Sequence, residues 1–456
     1  MSSLYTERFN NISKENPLLK DGYLDQARTE FFTLAKRKSP AILQSPRPDA
    51  ARILYREILN GKGALEHINE AIEVLIKDMY GWGPINELMQ DTEVTDIWIL
   101  KYNEILYEKN GRKYTWSNNF LSEEHLRNTA ERMVASVGRK IDEARPVEDC
   151  RLPDGSRVVV VIPGVATRGT TVTIRKFSHL FTLEELSQRN LFPPHMVDMF
   201  KLMVKARINI YAAGGMGSGK NTFLNALTLC VDKDENLIFV EDPAESKVGE
   251  PDPERPKLPI PHVRVFEPRR AGVEGTGEVP LSLIFEKCLR MKPSRLLVSE
   301  SRCPFTTYYT LQAMNIGHPG SMSSVHAESP EDVPIRLSDL LAAYPGGSYQ
   351  QIEARSGKIA AVEIVVFLTQ IKFSRRITDI VEIRRTEQGL PKVVPLYTFN
   401  FQGFNEKEDL VGELKFTNEE PEFLKKRKIS YYLTKEEQSK LCSFFSVKKE
   451  QKGDKL

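Results

Sequence analysis

From residue 209 the chain reads Asn209-Ile210-Tyr211-Ala212-Ala213-Gly214-Gly215-Met216-Gly217-Ser218-Gly219-Lys220-Asn221-Thr222. This stretch nearly completes the pattern of a phosphate-binding loop, GxxxxGK followed by Ser or Thr. An apolar run enters it, and a helix-like run, Phe223 to Leu229, leaves it. Successive glycines let backbone N–H groups converge on phosphate oxygens, and Lys220 can reach the β- and γ-phosphates. The stretch therefore predicts a nucleotide site.

The last letter of the pattern is different. Asn221 stands where a Ser or Thr hydroxyl would hold Mg²⁺, and Thr222 points about 100° around the helix from it. Because Mg²⁺ demands near-octahedral oxygen ligands at short range, an amide on a longer arm is a poor substitute. Nucleotide binding is thus better supported than hydrolysis. The predicted nucleotide-binding residues are Gly214, Gly215, Met216, Gly217, Ser218, Gly219, Lys220, Asn221 and Thr222.

Size and composition bound the remaining possibilities. A chain of 456 residues is long enough for two or three domains of roughly 100 to 200 residues each. A formal charge of +2 gives no global basic field, so no specific nucleic acid is expected. The five cysteines form no CxxC, which disfavours a disulfide framework and a zinc site. No apolar run approaches the roughly 18 residues of a membrane span, and we expect a soluble, cytoplasmic protein.

Changes in the residue pattern divide the chain into five predicted segments. They are a helical, partly disordered lead-in (1–75), a mixed α/β domain (76–178), a linker (179–194), the nucleotide-binding domain (195–395) and a C-terminal extension with a basic tail (396–456). Within the linker, Thr182 to Glu185 is a candidate capping box. The tail carries Lys425-Lys426-Arg427-Lys428, which indicates either a solvated surface or a contact with a membrane or partner.

Two apolar runs after the loop, Leu237 to Val240 and Leu296 to Val298, each end in acidic residues. With helical patterns between them, they predict a parallel sheet, in which ligands lie beyond the carboxyl ends of the strands. Glu241, Asp242 and Glu300 fall there. Repulsion among Glu241, Asp242 and Glu245 would raise a pKa and suit one of them to act as a base. For Glu241 and Asp242, structural roles in a turn remain an alternative.

These motifs occur in an order that resembles the type II and type IV secretion ATPases. Walker A, acidic box, Walker B and histidine box correspond to Gly214 to Thr222, Glu241 to Glu245, Leu296 to Arg302, and Gly317-His318 with His326-Ala327. The closer resemblance is to the CpaF-type ATPases of tight-adherence pili, over about residues 75 to 395. That closer match rests on Gly83-Pro84, Glu93 to Thr95, Arg151 to Arg157, Thr173 to Phe177 and Val273 to Glu278.

The resemblance implies an α/β fold: a RecA-like P-loop NTPase core, a smaller N-terminal mixed α/β domain and a helical N-terminal lead-in. It also implies ATP with Mg²⁺ as ligands and six copies in a ring at the inner face of the cytoplasmic membrane. Hydrolysis would drive domain closure, transmitted to an inner-membrane platform protein that moves pilin subunits or secreted substrates.

The resemblance also implies roles for individual side chains. His326 would lie near the γ-phosphate, Glu300 would hold the Mg²⁺ shell or orient water, and arginines of the first domain would contact phosphates. For each arginine, surface ion pairing is an alternative. The predicted catalytic residues are Glu300, Glu241, Asp242, His326, Arg157 and Arg175, and the predicted metal ligands are Glu300 and Asn221.

Four family letters are replaced, by Met216, Asn221, Ser299 and Cys303. Because the replacements lie within site motifs, a second hypothesis is a catalytically weakened, nucleotide-binding structural or regulatory subunit. A DNA-translocating motor would need a local basic groove, and a small-molecule kinase would give the two histidine positions no purpose. The ATPase motor is the leading hypothesis.

Overall fold

The computed structural model describes residues 23–38, 48–120, 122–176, 180–242, 244, 246–250, 255, 261–269, 277–345, 352–405 and 410–446. The chain forms two compact units, Met1–His179 and Leu180–Leu456. Within the described ranges, no helix is long and apolar enough to cross a membrane. The expected disorder of the extreme N-terminus lies outside the described residues.

The first unit begins with three helices that share a core. They are α1 (Tyr23–Lys38), α2 (Pro48–Leu59) and α3 (Leu65–Tyr80). The rings of Phe31 and Tyr55 stack at 4.4 Å between centroids inside this core. The predicted boundary at residue 75 falls within α3, because Ile76, Met79 and Tyr80 continue its apolar face. Helix α3 therefore continues across that predicted boundary.

The rest of the first unit is a six-stranded antiparallel sheet with helices. Its elements are α4 (Asn86–Gln90), β1 (Val94–Lys101), β2 (Glu104–Lys109), β3 (Arg112–Thr115), α5 (Glu123–Ala135), β4 (Val147–Arg151), β5 (Arg157–Val161) and β6 (Thr171–Arg175). The strand order is β3-β2-β1-β6-β5-β4. Asn110 and Gly111 have φ of 53° and 75°, as a tight β2–β3 hairpin turn requires. The mixed α/β texture predicted here is confirmed.

The second unit is built on a nine-stranded sheet. Its first elements are α6 (Leu183–Gln188), α7 (Met196–Lys205), β7 (Ile210–Gly214), α8 (Lys220–Thr228), β8 (Leu237–Val240), β9 (Val263–Phe266), α9 (Leu281–Arg290), β10 (Arg295–Val298), α10 (Pro304–Asn315) and β11 (Met322–Val325). They are followed by α11 (Asp332–Ala342), α12 (Ile352–Ile359), β12 (Ile364–Ile371), β13 (Ser374–Arg385), β14 (Pro391–Phe404), β15 (Leu410–Phe416), α13 (Arg427–Tyr432) and α14 (Lys435–Ser443).

The strand order of this sheet is β15-β14-β13-β12-β7-β11-β10-β8-β9. From β12 to β9 all pairs are parallel, and β13 to β15 extend the sheet antiparallel. Without the edge strand β9, the parallel part reads 5-1-4-3-2 in chain order, the order of RecA-like cores. The predicted fold class is confirmed, with the phosphate-loop strand β7 at the centre.

The C-terminal residues belong to this same unit. The predicted boundary at residue 396 falls inside β14, because that strand pairs along β13 on one side and β15 on the other. Helix α14 packs on α7, where Lys205 Nζ lies 2.6 Å from Glu437 Oε1 and Lys440 Nζ lies 2.7 Å from Asp198 Oδ2. Residues Leu441 and Phe445, in and just after α14, therefore belong to the core of this unit.

Part of the basic cluster of the tail pairs with a buried carboxylate. Glu363, only 3% exposed, accepts hydrogen bonds from Lys426 Nζ at 2.8 Å, from Lys428 Nζ and from the Asn209 backbone N–H at 2.9 Å. Burial raises the pKa of Glu363, but the two lysines outweigh it and hold the pKa below its ordinary value. These two lysines therefore stabilise the starts of β7 and β12, where Asn209 and Glu363 lie.

Candidate functional site

The phosphate loop joins the end of β7 to the first residue of α8. Gly214 has φ of 141°, and a Cβ added there would lie 2.0 Å from the backbone oxygen of Leu368 in β12. Only glycine fits so close to a neighbouring strand. Gly217 and Gly219 have φ of 71° and 97°, which also favours glycine. The backbone itself therefore requires glycine at 214, 217 and 219.

Lys220 is the buried cation of the loop. Its Nζ donates to the backbone oxygens of Gly214 at 3.0 Å and Gly215 at 2.7 Å. Burial lowers the pKa of Lys220 to about 8, although the nearby charge of Glu300 acts in the opposite direction. The two carbonyl oxygens balance only part of the positive charge of this ammonium, and phosphate oxygens would balance more of it.

His326 and Glu300 approach Lys220 from the same side of β7, where β11 and β10 lie in succession. His326 follows β11, and its Nδ1 lies 3.3 Å from Lys220 Nζ. Its Nε2 lies 3.5 Å from Oε1 of Glu300, which follows β10. Since the carboxyl ends of parallel strands meet at one edge, the fold brings together three residues that are far apart in sequence.

Asn221 is tied to the strand that carries Glu300. Its Oδ1 lies 3.2 Å from Oγ of the buried Ser324, which lies 2.6 Å from the backbone oxygen of Ser299. The side chain of Asn221 therefore connects the first turn of α8 to the residue before Glu300. A side-chain carbonyl and a carboxylate are both oxygen ligands of the kind that Mg²⁺ takes, so this donor set fits the metal.

The two acidic-box carboxylates have separate partners. Glu241 is 3% exposed, and its Oε2 accepts from the Ser246 backbone N–H at 3.2 Å. Asp242 forms an ion pair with Arg302. Glu245 lies outside the described residues. These contacts support the alternative that the sequence left open, in which Glu241 stabilises its own turn.

Arg157 and Arg175 lie in the first unit, whereas the phosphate loop lies in the second. They are opposite each other in the β5–β6 ladder. Arg157 Nη2 lies 3.9 Å from Asp149 Oδ2, and Arg175 is exposed. Like charges placed directly opposite repel, so an anion bound here would be favourable. The fold brings the two predicted arginines together with each other.

The profile of the family described as Type II/IV secretion system protein matches residues 78–374 of this chain. The chain belongs to this family. The matched segment contains the phosphate loop, Glu300 and His326, so the side chains that meet at the sheet edge all lie within it.

Individual relatives agree with this family. A Mycobacterium tuberculosis protein, Rv3659c, named as a candidate conjugal transfer protein, is 28% identical over 333 residues, 72% of this chain and 91% of its own length. Type IV secretion system protein VirB11 of Brucella abortus is 30% identical over 273 residues, 54% of this chain and 73% of its own. The solved VirB11 ATPase of Brucella suis, in complex with sulphate, is 25% identical, covers 66% of this chain and 95% of its own, and superposes with a TM-score of 0.33.

The other three residues that differ from the motifs of the type II/IV secretion family are Met216, Ser299 and Cys303. Met216 is 85% exposed, so its bulk lies outside the packed part of the loop. The backbone N–H of Ser299 donates to the backbone oxygen of Val240 at 3.1 Å, which continues the pairing of β10 with β8. Cys303 is the N-cap residue of α10. Of the replaced letters, Asn221 alone has a side chain bonded to the strands of the site.

Sequence reasoning missed two residues beside the loop. Arg375 of β13 donates from Nε to the backbone oxygen of Gly217 at 2.8 Å. Oε1 of Gln370 in β12 lies 2.9 Å from the position of a Cβ added to Gly217. No motif marks either residue. Only knowledge that β12 pairs with β7 would have located them.

Proposed function

We propose that this chain is an ATPase that binds ATP with Mg²⁺ and hydrolyses it to drive a type II/IV secretion machine of the tight-adherence pilus type. The observation that carries the proposal is the contact series Lys220–His326–Glu300 at the carboxyl edge of the sheet. A buried cation, an imidazole and a carboxylate at a phosphate loop are the groups that phosphoryl transfer to water requires. Membership of the family supports the setting in secretion or pilus assembly.

The residues present fit the proposed ligand. The loop backbone is open at Gly215, where an added Cβ would have no heavy atom within 4 Å, and Lys220 supplies the cation. Glu300 and Asn221 would hold Mg²⁺, whose charge would help to neutralise the phosphates. His326 and Glu300 would border the terminal phosphate of a nucleotide held by Lys220, because His326 contacts the Lys220 ammonium and Glu300 contacts His326.

The protein side chains divide the chemical work. Lys220 binds phosphate charge, and Glu300 orients a water molecule or accepts its proton. His326 connects the two, because it contacts both. Glu241 and Asp242 remain proposed catalytic residues, one of which would act as a base. Arg157 and Arg175 would supply positive charge toward the phosphates from the N-terminal domain, which we assign to residues 76–178.

The proposed assembly is a homo-oligomeric ring of six copies. It would lie in the cytoplasm against the inner membrane and transmit domain closure to a platform protein there. The support is the family assignment and the naming of the relatives for type IV secretion and conjugal transfer. We assign the linker to residues 179–194, the ATPase core to 195–395 and the C-terminal extension to 396–456, of which strands β14 and β15 continue the sheet of the core.

The proposal is tested by Mg²⁺-dependent ATP hydrolysis, with nucleotide binding measured in parallel. We expect turnover by the unaltered protein, its loss in Glu300→Gln with binding retained, and the loss of both in Lys220→Ala. Binding without turnover in the unaltered protein would refute the motor.

The bond between Asn221 and Ser324 favours a second candidate, a nucleotide-gated structural subunit. A side chain engaged with Ser324 would hold Mg²⁺ less well than the usual hydroxyl. In that case Asn221→Thr would restore turnover to a protein that only binds nucleotide. If the unaltered protein already hydrolyses ATP, the rate of Asn221→Thr relative to it measures how far the amide lowers the rate of hydrolysis.

A further inference from the structure

One β-hairpin of the second unit lies beside the phosphate loop. β12 and β13 are joined at residues Lys372 and Phe373, and β12 pairs with β7 in parallel. Strand β11, which leads to His326, pairs with β7 on the other side. The loop therefore has two flanks, and the hairpin forms the flank opposite His326 and Glu300.

Three contacts join this hairpin to the loop. The backbone oxygen of Leu368 lies where a Cβ of Gly214 would be, and the Gln370 amide lies against Gly217. Arg375 donates to the backbone oxygen of Gly217 at 2.8 Å, and its Cδ lies 3.8 Å from the Cβ position of Gly219. Two polar side chains, one of them a guanidinium, thus border the glycines that a nucleotide would contact.

The direction in which a nucleotide binds decides which part of it these side chains would contact. A nucleoside triphosphate has its terminal phosphate at one end and its nucleoside at the other. If the terminal phosphate lies toward His326 and Glu300, the nucleoside extends toward the opposite flank. This step rests on the proposed function.

We propose that the β12–β13 hairpin forms the nucleoside subsite, with Arg375 and Gln370 contacting the base or ribose. A guanidinium stacks on the flat face of a base while it donates hydrogen bonds at its edges. The amide of Gln370 offers both a donor and an acceptor, which suits the edge of a base. The subsite therefore distinguishes a nucleotide from a bare polyphosphate.

The test is isothermal titration calorimetry with two probes, ATP and inorganic tripolyphosphate, each with Mg²⁺. We expect Arg375→Ala to weaken ATP about tenfold, as the loss of a hydrogen bond from a charged group would, and tripolyphosphate by less than about twofold. Gln370→Ala should change the same ratio in the same direction. Arg375→Lys keeps the charge but not the planar group, and should also weaken ATP selectively.

Lys372→Ala is the matched control. It removes one positive charge from the same hairpin, but the Lys372 ammonium lies over the Phe404 ring, 4.4 Å from its centroid. It should leave both affinities unchanged. Circular dichroism and melting temperature would verify that each variant is folded.

Two results would overturn the subsite. An equal loss of ATP and tripolyphosphate would mean that Arg375 acts through the loop or the phosphates. No loss of either in folded Arg375→Ala would mean that the side chain does not touch the ligand. Failure of the unaltered protein to bind either probe is a different result, because it overturns the proposed function and the subsite with it.

Discussion

The imidazole of His326 bridges Lys220 and Glu300, with Nδ1 3.3 Å from Lys220 Nζ and Nε2 3.5 Å from Glu300 Oε1. An ammonium can only donate, so in this contact Nδ1 of His326 accepts, and the neutral ring then carries its proton on Nε2, the nitrogen nearer to Glu300. The contact with Lys220 thus selects the tautomer that suits Glu300. If a ligand moved Lys220 away from His326, this contact would no longer fix the tautomer.

Replacement of His326 should separate turnover from binding. In His326→Ala, Lys220 keeps its bonds to Gly214 and Gly215, so ATP affinity should change by less than about threefold. The rate should fall about 100-fold, as for loss of one group that stabilises transition-state charge. Steady-state kinetics beside equilibrium binding would measure both. His318→Asn is the control, because His318 Nδ1 contacts the Pro293 backbone at 2.8 Å instead; an equal rate loss there would contradict the assignment.

The pH dependence of ATP binding should follow Lys220. Its folded pKa is about 8, so the ammonium predominates below pH 8 and is lost as pH rises through that value. ATP affinity should fall about tenfold between pH 7 and pH 9, and binding above pH 8 should take up a proton. Calorimetry in buffers of different ionisation enthalpy would measure both. Lys220→Arg, charged throughout this range, should bind with no such pH dependence.

Gly214 and Gly215 provide a matched pair for the backbone of the loop. In Gly214→Ala the new methyl would collide with the Leu368 backbone, whereas a Cβ at Gly215 has no heavy atom within 4 Å. Gly214→Ala should destabilise the protein by about 3 kcal/mol. Gly215→Ala should remain within about 0.5 kcal/mol. Urea unfolding measures the stability of both variants. Equal stability would show that the close approach of Leu368 to Gly214 does not limit the residue at that position.

Loss of the Glu363 charge should destabilise the second unit. Glu363→Gln leaves Lys428, only 19% exposed at its side chain, without its main counter-charge, and should cost about 3 kcal/mol. Because the folded pKa of Glu363 is depressed, its contribution is present above the ordinary value of 4.5 and is lost as pH falls below it. Lys425→Gln, at an exposed pair with Glu420, should change stability by less than about 0.5 kcal/mol. Unfolding curves at pH 7 and pH 4 would check this.

The sequence was most informative where chemistry is local. The spacing of Gly214, Gly219 and Lys220 predicts the loop, and acidic residues at the ends of apolar runs place Glu300 at the correct edge of the sheet. The alternation of apolar residues says which side of a strand is buried, but not which strand lies beside it. Arg375 was therefore missed, since its position depends on the pairing of β12 with β7.

Interpretation of the basic tail shows the same limit. A run such as Lys425 to Lys428 is normally solvated, and its composition is equally compatible with a membrane surface. What decides the role of Lys426 and Lys428 is a glutamate more than 60 residues earlier, buried at the start of another strand. Long-range ion pairs of this kind leave no local pattern.

The Glu363–Lys428 pair also has a consequence for synthesis of the chain. A ribosome makes Lys428 65 residues after Glu363, about 3 to 13 seconds later at usual bacterial and eukaryotic speeds. During that interval the nascent second unit holds a carboxylate whose two lysine partners do not yet exist. A message truncated before codon 426 would yield a polypeptide with every motif of the site but an unfinished core, a natural substrate for proteolytic quality control.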